Sequence, residues 1–182
     1  MKKETTKNYK NMIISCYDDD INKFKKALKD KLLSESDICW AMKIAAGYKS
    51  GKIVNHLWEN AATLLNKDEF SAKHDFVYGD YKALECIYEP ALLLFYPVIK
   101  KEGDSEVFKL FQKSLSHGHK NLIEKIILDD EHSIDKVNEW FDECSFLKES
   151  ENLILTLLDK KLLLDIKREN NNKSKVRINK KF

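Results

Sequence analysis

The residue types best suited to metal binding are concentrated in two short runs of the chain. One is the run of three aspartates at positions 18–20, and the other is the pair His117 and His119, which a single glycine separates. Adjacent aspartates on one turn rarely converge on an ion, and no calcium-loop pattern of glycine and glutamate follows them. Both runs have the composition of a tight turn between helices, where aspartate caps the next helix. We therefore expect no metal site and no cofactor.

The cysteines could supply nucleophiles, but their positions favour a role in packing. No two of them have the close spacing of a zinc or redox motif. The chain also lacks a glycine-rich phosphate loop, a Gly-x-Ser-x-Gly motif and a His-Glu-x-x-His motif. We expect reduced, buried thiols and a protein that is not an enzyme. The cysteines are Cys16, Cys39, Cys86 and Cys144.

The charge of the chain is divided between an acidic body and a basic end. Residues 167–182 contain seven Lys or Arg and one Glu, a net charge of +6, whereas the whole chain carries +2. Residues 1–166 therefore carry a net charge of −4. The basic end has too few aliphatic residues to fold by itself. We expect one domain over residues 1–166 and a disordered basic tail over 167–182.

A repeat of about thirty residues organises the body. Each copy reads as the end of one helix, a tight turn and the start of a second helix, and an apolar anchor follows the turn residue by five positions. The clear turn residues are Asp19, Lys49, Gly79 and Gly118, and a weaker fifth copy covers 150–158. The anchors are Phe24, Val54, Leu84, Ile123 and Ile154. In each copy, a small or polar residue lies four positions before the turn residue, on one face of the first helix.

The same periodicity predicts an all-α fold, since no stretch alternates as a strand would. An apolar run at about 90–102 interrupts the period and contains Pro97, which would break or kink a helix. We expect this run to be an extra helix or an extended plug packed against the repeats. The predicted helices are 6–18, 20–30, 36–48, 50–60, 68–78, 80–89, 104–116, 119–129, 134–147 and 150–164.

The repeats resemble degenerate ankyrin repeats. Residues 44–54 are similar to the ankyrin pattern of two alanines, two free positions, Gly-His and an aliphatic pair, and Gly118-His119 reproduces the Gly-His. No copy contains the Thr-Pro-Leu-His motif, and the period is shorter than the usual 33, so we expect the β-turn fingers to be reduced or lost. The resemblance implies an α-solenoid of about five stacked helix-turn-helix repeats. HEAT-like and tetratricopeptide arrays are the alternatives.

The resemblance also implies a module that docks a partner protein on its concave helix and turn face. Aromatic and lysine residues near the turns and helix starts are the candidate contacts, because Trp and Tyr dominate binding hot spots. A host-directed effector or adaptor would match this function, in the cytoplasm or the host cytosol. The alternatives are an immunity or inhibitor protein that blocks an enzyme, and an adaptor whose basic tail contacts nucleic acid or membrane. The candidate contacts are Trp40, Lys43, Tyr48, Lys73, Tyr78 and His117.

Overall fold

The computed structural model describes residues 2–29, 34–144 and 151–179. Within these ranges the regular structure is helical and no strand occurs, which confirms the all-α class. A 3₁₀ turn lies at Ala83–Glu85. The helices are α1 (Lys2–Asp18), α2 (Ile21–Lys29), α3 (Glu35–Gly47), α4 (Gly51–Glu59), α5 (Ala61–Leu65), α6 (Glu69–Tyr78), α7 (Glu89–Lys101), α8 (Asp104–His117), α9 (Lys120–Ile127), α10 (Ile134–Glu143) and α11 (Glu151–Asn179).

The chain divides into two compact units, Met1–Glu106 and Val107–Phe182, and the boundary falls within α8. A single array running through residues 1–166 therefore stays a prediction across this boundary. None of the helices in the described ranges combines the length and apolar character needed to cross a membrane.

Three of the predicted turns share one backbone geometry. Their turn residues, Asp19, Lys49 and Gly118, have positive φ angles of 48°, 60° and 67°. In each turn the next amide donates to the carbonyl four positions before the turn residue, which is the Schellman closure of a helix end. These bonds run from Asp20 to Ser15 (3.0 Å), from Ser50 to Ala45 (2.9 Å) and from His119 to Ser114 (2.9 Å).

The residues that the repeat places around these turns are buried. Ser15, Ala45 and Ser114 are 0% exposed, and each serine hydroxyl donates to the carbonyl one helical turn earlier, at 2.7 and 2.6 Å. Small side chains here allow close helix packing, and the hydroxyls are satisfied locally. The anchors of the same copies are also buried, so these copies of the repeat are confirmed. They are Phe24, Val54 and Ile123.

Helices of the first unit stack as successive pairs. The first pair is α1 with α2 and the second is α3 with α4; α1 contacts α3, and α2 contacts α4. The next first helix is α6, which contacts α3, and α7 contacts both α4 and α6. The third pair is therefore α6 with α7, and each first or second helix lies against its counterpart in the preceding pair.

This third pair corrects two predictions over residues 79–102. The predicted helix 80–89 is absent: Gly79 has an extended ψ of −173°, and a loop containing the 3₁₀ turn follows. Its expected anchor, Leu84, is only half-buried. The apolar run at 90–102 forms α7, which is the second helix of the third pair and not an addition to the repeats.

Proline does not prevent α7 from forming. Pro90 lies in the first turn, where a missing N–H costs no hydrogen bond. Pro97 lies inside the helix, at a cost of about 3 kcal/mol. Buried side chains on α7, including Leu92, Phe95 and Ile99, offset this cost, since each contributes about 1.5–3 kcal/mol.

The second unit is organised around α11. This helix contacts α9 and α10, and the fifth anchor, Ile154, is buried on it. Helix α11 continues to Asn179, into the segment that the sequence analysis predicts to be a tail. Residues 151–179 contain no Gly or Pro, and extending a helix is cheap once its first turns are docked. Predicted segments at residues 30, 145–147, 150 and 180–182 lie outside the described residues.

Candidate protein-interaction surface

The turns of the first two helical pairs are hydrogen-bonded to each other. The Ser50 hydroxyl donates to the Cys16 carbonyl of the preceding turn. The Asp19 carboxylate accepts the backbone amides of Lys52 at 3.1 Å and Ile53 at 3.3 Å. Asp19 therefore caps α4, whose own N-cap residue makes no capping bond with its side chain. These bonds fix the position of one turn against the next.

Two exposed tyrosines lie beside these hydrogen-bonded turns. Tyr17 is 73% exposed and Tyr48 is 48% exposed. Their ring centroids lie 5.7 Å apart with an interplanar angle of 81°, an edge-to-face contact. Such a contact contributes about 0.5–1.5 kcal/mol beyond burial, so each ring restrains the other. We call these two residues the tyrosine pair.

The predicted contacts on α3 have partners within the first unit. Trp40 is half-buried and packs edge-to-face against Tyr9, with the ring centroids 5.6 Å apart. The Lys43 ammonium lies 3.0 Å from the Glu85 carboxylate. Both side chains are therefore engaged in contacts within the first unit.

The predicted contacts on α6 are also engaged within the first unit. The Lys73 ammonium binds the Glu69 carboxylate and lies 5.1 Å from the ring centre of Trp58. The Tyr78 hydroxyl is buried and has no hydrogen-bond partner among the described residues. Burial, followed by the charges of two nearby glutamates, raises the pKa of Tyr78 to about 12. The side chain as a whole is half-buried, so a role for Tyr78 as a partner contact stays a prediction.

His117 belongs to the second unit. Its side chain is exposed, its Nδ1 lies 2.9 Å from the Lys113 carbonyl, and its ring stacks on His119 at 5.7 Å between centroids. Across the described residues, no three His, Cys, Asp or Glu side chains form a group that could hold a metal ion.

A polar cavity of about 360 Å³, which no sequence pattern predicts, lies beside the start of α3. Within it, the Lys67 ammonium lies 2.6 Å from Glu35 and 2.8 Å from Asp75. The hydrogen bonds that Lys67 donates to the carboxylates of Asp75 and, next in effect, Glu35 raise the pKa of Lys67. Cys39 lines the same cavity, and burial raises the pKa of its thiol to about 11. This thiol stays protonated near neutral pH, so it is a poor nucleophile.

The other cysteines also fit a packing role. Cys16 and Cys144 are buried, and burial raises the pKa of both thiols, to about 12 for Cys16. Cys86 is half-buried, and its Sγ donates to the Lys43 carbonyl at 3.5 Å.

Comparison with known proteins assigns no relative, since no family model, curated protein or solved structure matches the chain. Of the predicted contacts in the first unit, Tyr48 alone lies on an exposed aromatic surface. Sequence reasoning missed its neighbour Tyr17. The available signal was position, because Tyr17 precedes the turn residue Asp19 by two residues, close to the place of Tyr48 before Lys49.

Proposed function

We propose that this protein is a non-enzymatic binding module that docks a partner protein on the tyrosine pair. The observation that carries the proposal is the exposure of Tyr17 and Tyr48 on two turns that are bonded to each other. Tyrosine offers a large contact area with few rotatable bonds, and it is enriched in binding hot spots. Rings already held in place lose less side-chain entropy when a partner binds.

We also propose that the helical pairs form an ankyrin-like α-solenoid, which continues beyond the three pairs of the first unit. Support comes from the stacking of successive pairs, α1 on α3 and α2 on α4, and from three turns with one Schellman geometry. In such an array, neighbouring turns form an extended surface on which a partner can span several repeats.

The test is affinity capture from cell extract with tagged wild type and the double variant Tyr17→Ala/Tyr48→Ala. We expect the double variant to lose the partner that wild type retains. Ile87→Ala is the matched control, because Ile87 is 49% exposed in the same unit but is not part of the tyrosine pair. Wild type and the control should capture the same protein.

A second variant, Tyr17→Phe/Tyr48→Phe, keeps both rings and removes both hydroxyls. Capture by this variant would show that the rings supply the binding energy, and loss would assign it to the hydroxyls. Capture by the double alanine variant, at wild-type levels and with unchanged thermal unfolding, would exclude the tyrosine pair as the docking site.

A further inference from the structure

The outer face of α11 carries an apolar stripe. Leu155, Leu162 and Ile166 are spaced by seven and four residues, so they fall within about 40° of one another around the helix. They are 49%, 48% and 47% exposed, and the adjacent Leu163 is 59% exposed. The opposite face of α11 packs on α9 and α10. The helix is therefore apolar on two sides, and the described residues of the second unit cover only one of them.

Two segments of this unit carry opposite charges of equal size. Residues 129–143 contain seven acids and one lysine, a net charge of −6, whereas residues 167–182 carry +6. Three of the acids lie on one face of α10 and are exposed. They are Asp135, Glu139 and Asp142. One ion pair between the segments forms within the chain, with Arg168 Nη1 2.6 Å from Asp130 Oδ1.

We propose that the same helix of a second copy covers the stripe, with the two α11 helices antiparallel in a two-fold dimer. In this arrangement Leu155 lies opposite Ile166 of the other copy, and Leu162 lies opposite Asp159. The described part of each basic end, residues 167–179, then extends past the start of the other α11, towards the acidic α10 that precedes it in the chain. Two contacts of opposite charge form, as two-fold symmetry requires.

Charge favours an antiparallel second copy over the other occupants of this face. Parallel helices would bring the two +6 segments together. An anionic membrane or a nucleic acid would meet the exposed carboxylates of α10, whereas a second copy meets them with its basic end.

The size of the stripe predicts a weak, salt-dependent dimer. From residue 155 to residue 166 the helix rises about 17 Å, and a helix face is about 10 Å wide. That area is far below the roughly 800 Å² per partner of a stable interface. The apolar contact therefore needs the ionic contacts, and salt weakens contacts between exposed charges.

The experiment is sedimentation equilibrium of the full chain in about 50 mM and about 500 mM salt. We expect a monomer–dimer equilibrium in low salt and at least about tenfold weaker association in high salt. Leu155→Ser/Leu162→Ser should be monomeric with unchanged circular dichroism. Ile87→Ser, which alters an equally exposed residue of the first unit, should dimerise like wild type.

A charge exchange tests the orientation. Lys173→Glu/Arg177→Glu and Asp142→Lys/Glu143→Lys should each weaken the dimer about tenfold, and combining all four changes should restore it. A wild type that stays monomeric in low salt overturns the proposal, as does dimerisation of Leu155→Ser/Leu162→Ser. Binding of monomeric wild type to phosphatidylserine vesicles would identify a lipid surface as the occupant and overturn it equally.

Discussion

Substitutions of Asp19 should separate two contributions to the stability of the first turn: the cap that its carboxylate provides to α4, and the cost of its left-handed backbone. The Asp19 carboxylate caps α4 across the gap between two helical pairs, and its backbone has a φ of 48°. Loss of a helix cap costs about 1 kcal/mol. The left-handed conformation costs a residue with a Cβ roughly 1 kcal/mol, a cost that glycine avoids. Asparagine keeps both a capping oxygen and tolerance of this conformation.

We therefore expect Asp19→Ala to destabilise the first unit by about 1 kcal/mol, because it loses the cap while the backbone cost, already present in the wild type, stays the same. Asp19→Gly should cost less, about 0–1 kcal/mol, since relief of the backbone offsets much of the lost cap. Asp19→Asn should cost about 0.5 kcal/mol, from loss of the charge near the helix N-terminus.

Urea unfolding followed by tryptophan fluorescence measures these differences. Trp140 lies in the second unit, so a Trp140→Phe background leaves Trp40 and Trp58 to report on the first unit. If Asp19→Ala and Asp19→Gly lower the free energy of unfolding equally, the left-handed backbone at position 19 carries no cost and the reasoning is refuted. A change below about 0.3 kcal/mol for alanine would refute the capping bond between the two pairs.

Four further predictions concern buried groups and glycines. Lys161 is 2% exposed and donates to a backbone carbonyl at 2.7 Å, so Lys161→Ala should cost about 2 kcal/mol in urea unfolding. Burial lowers the pKa of Lys161, so the unfolded chain binds more protons and wild-type stability should rise as pH approaches 10.5, a rise absent in Lys161→Met. Gly79→Ala should lower the melting temperature, because its Cβ would press on a backbone carbonyl, whereas Gly47→Ala has open space and should not. Tyr78→Phe should stabilise the protein by about 1 kcal/mol in the same assay, since it removes a buried hydroxyl without a partner among the described residues.

The candidate surface shows which side-chain positions a sequence can predict. The pairing of Lys73 with Glu69 follows from their spacing of four residues on one helix. The pairing of Lys43 with Glu85 joins residues 42 apart, so it depends on how α3 meets the loop before α7. For the same reason, Tyr48 and Tyr78 precede similar turn residues but differ in burial.

Local chemistry alone determined the helical class and three of the turns. The turns at Asp19, Lys49 and Gly118 depend on hydrogen bonds within six residues, and the buried faces depend on a period of 3.6 residues. Both signals are contained in short stretches of sequence, so no distant contact is needed to read them.

Tertiary structure decided the third pair and the exposed aromatic surface. Residues 79–88 match the turn-and-helix pattern, yet α7 covers both α4 and α6, and its larger apolar surface stabilises that position despite Pro97. The exposure of Tyr17 beside Tyr48 likewise depends on Ser50 and Asp19 joining two pairs across more than thirty residues. Burial is a property of neighbours in space, so the free energies that select among local patterns appear only when the helices pack.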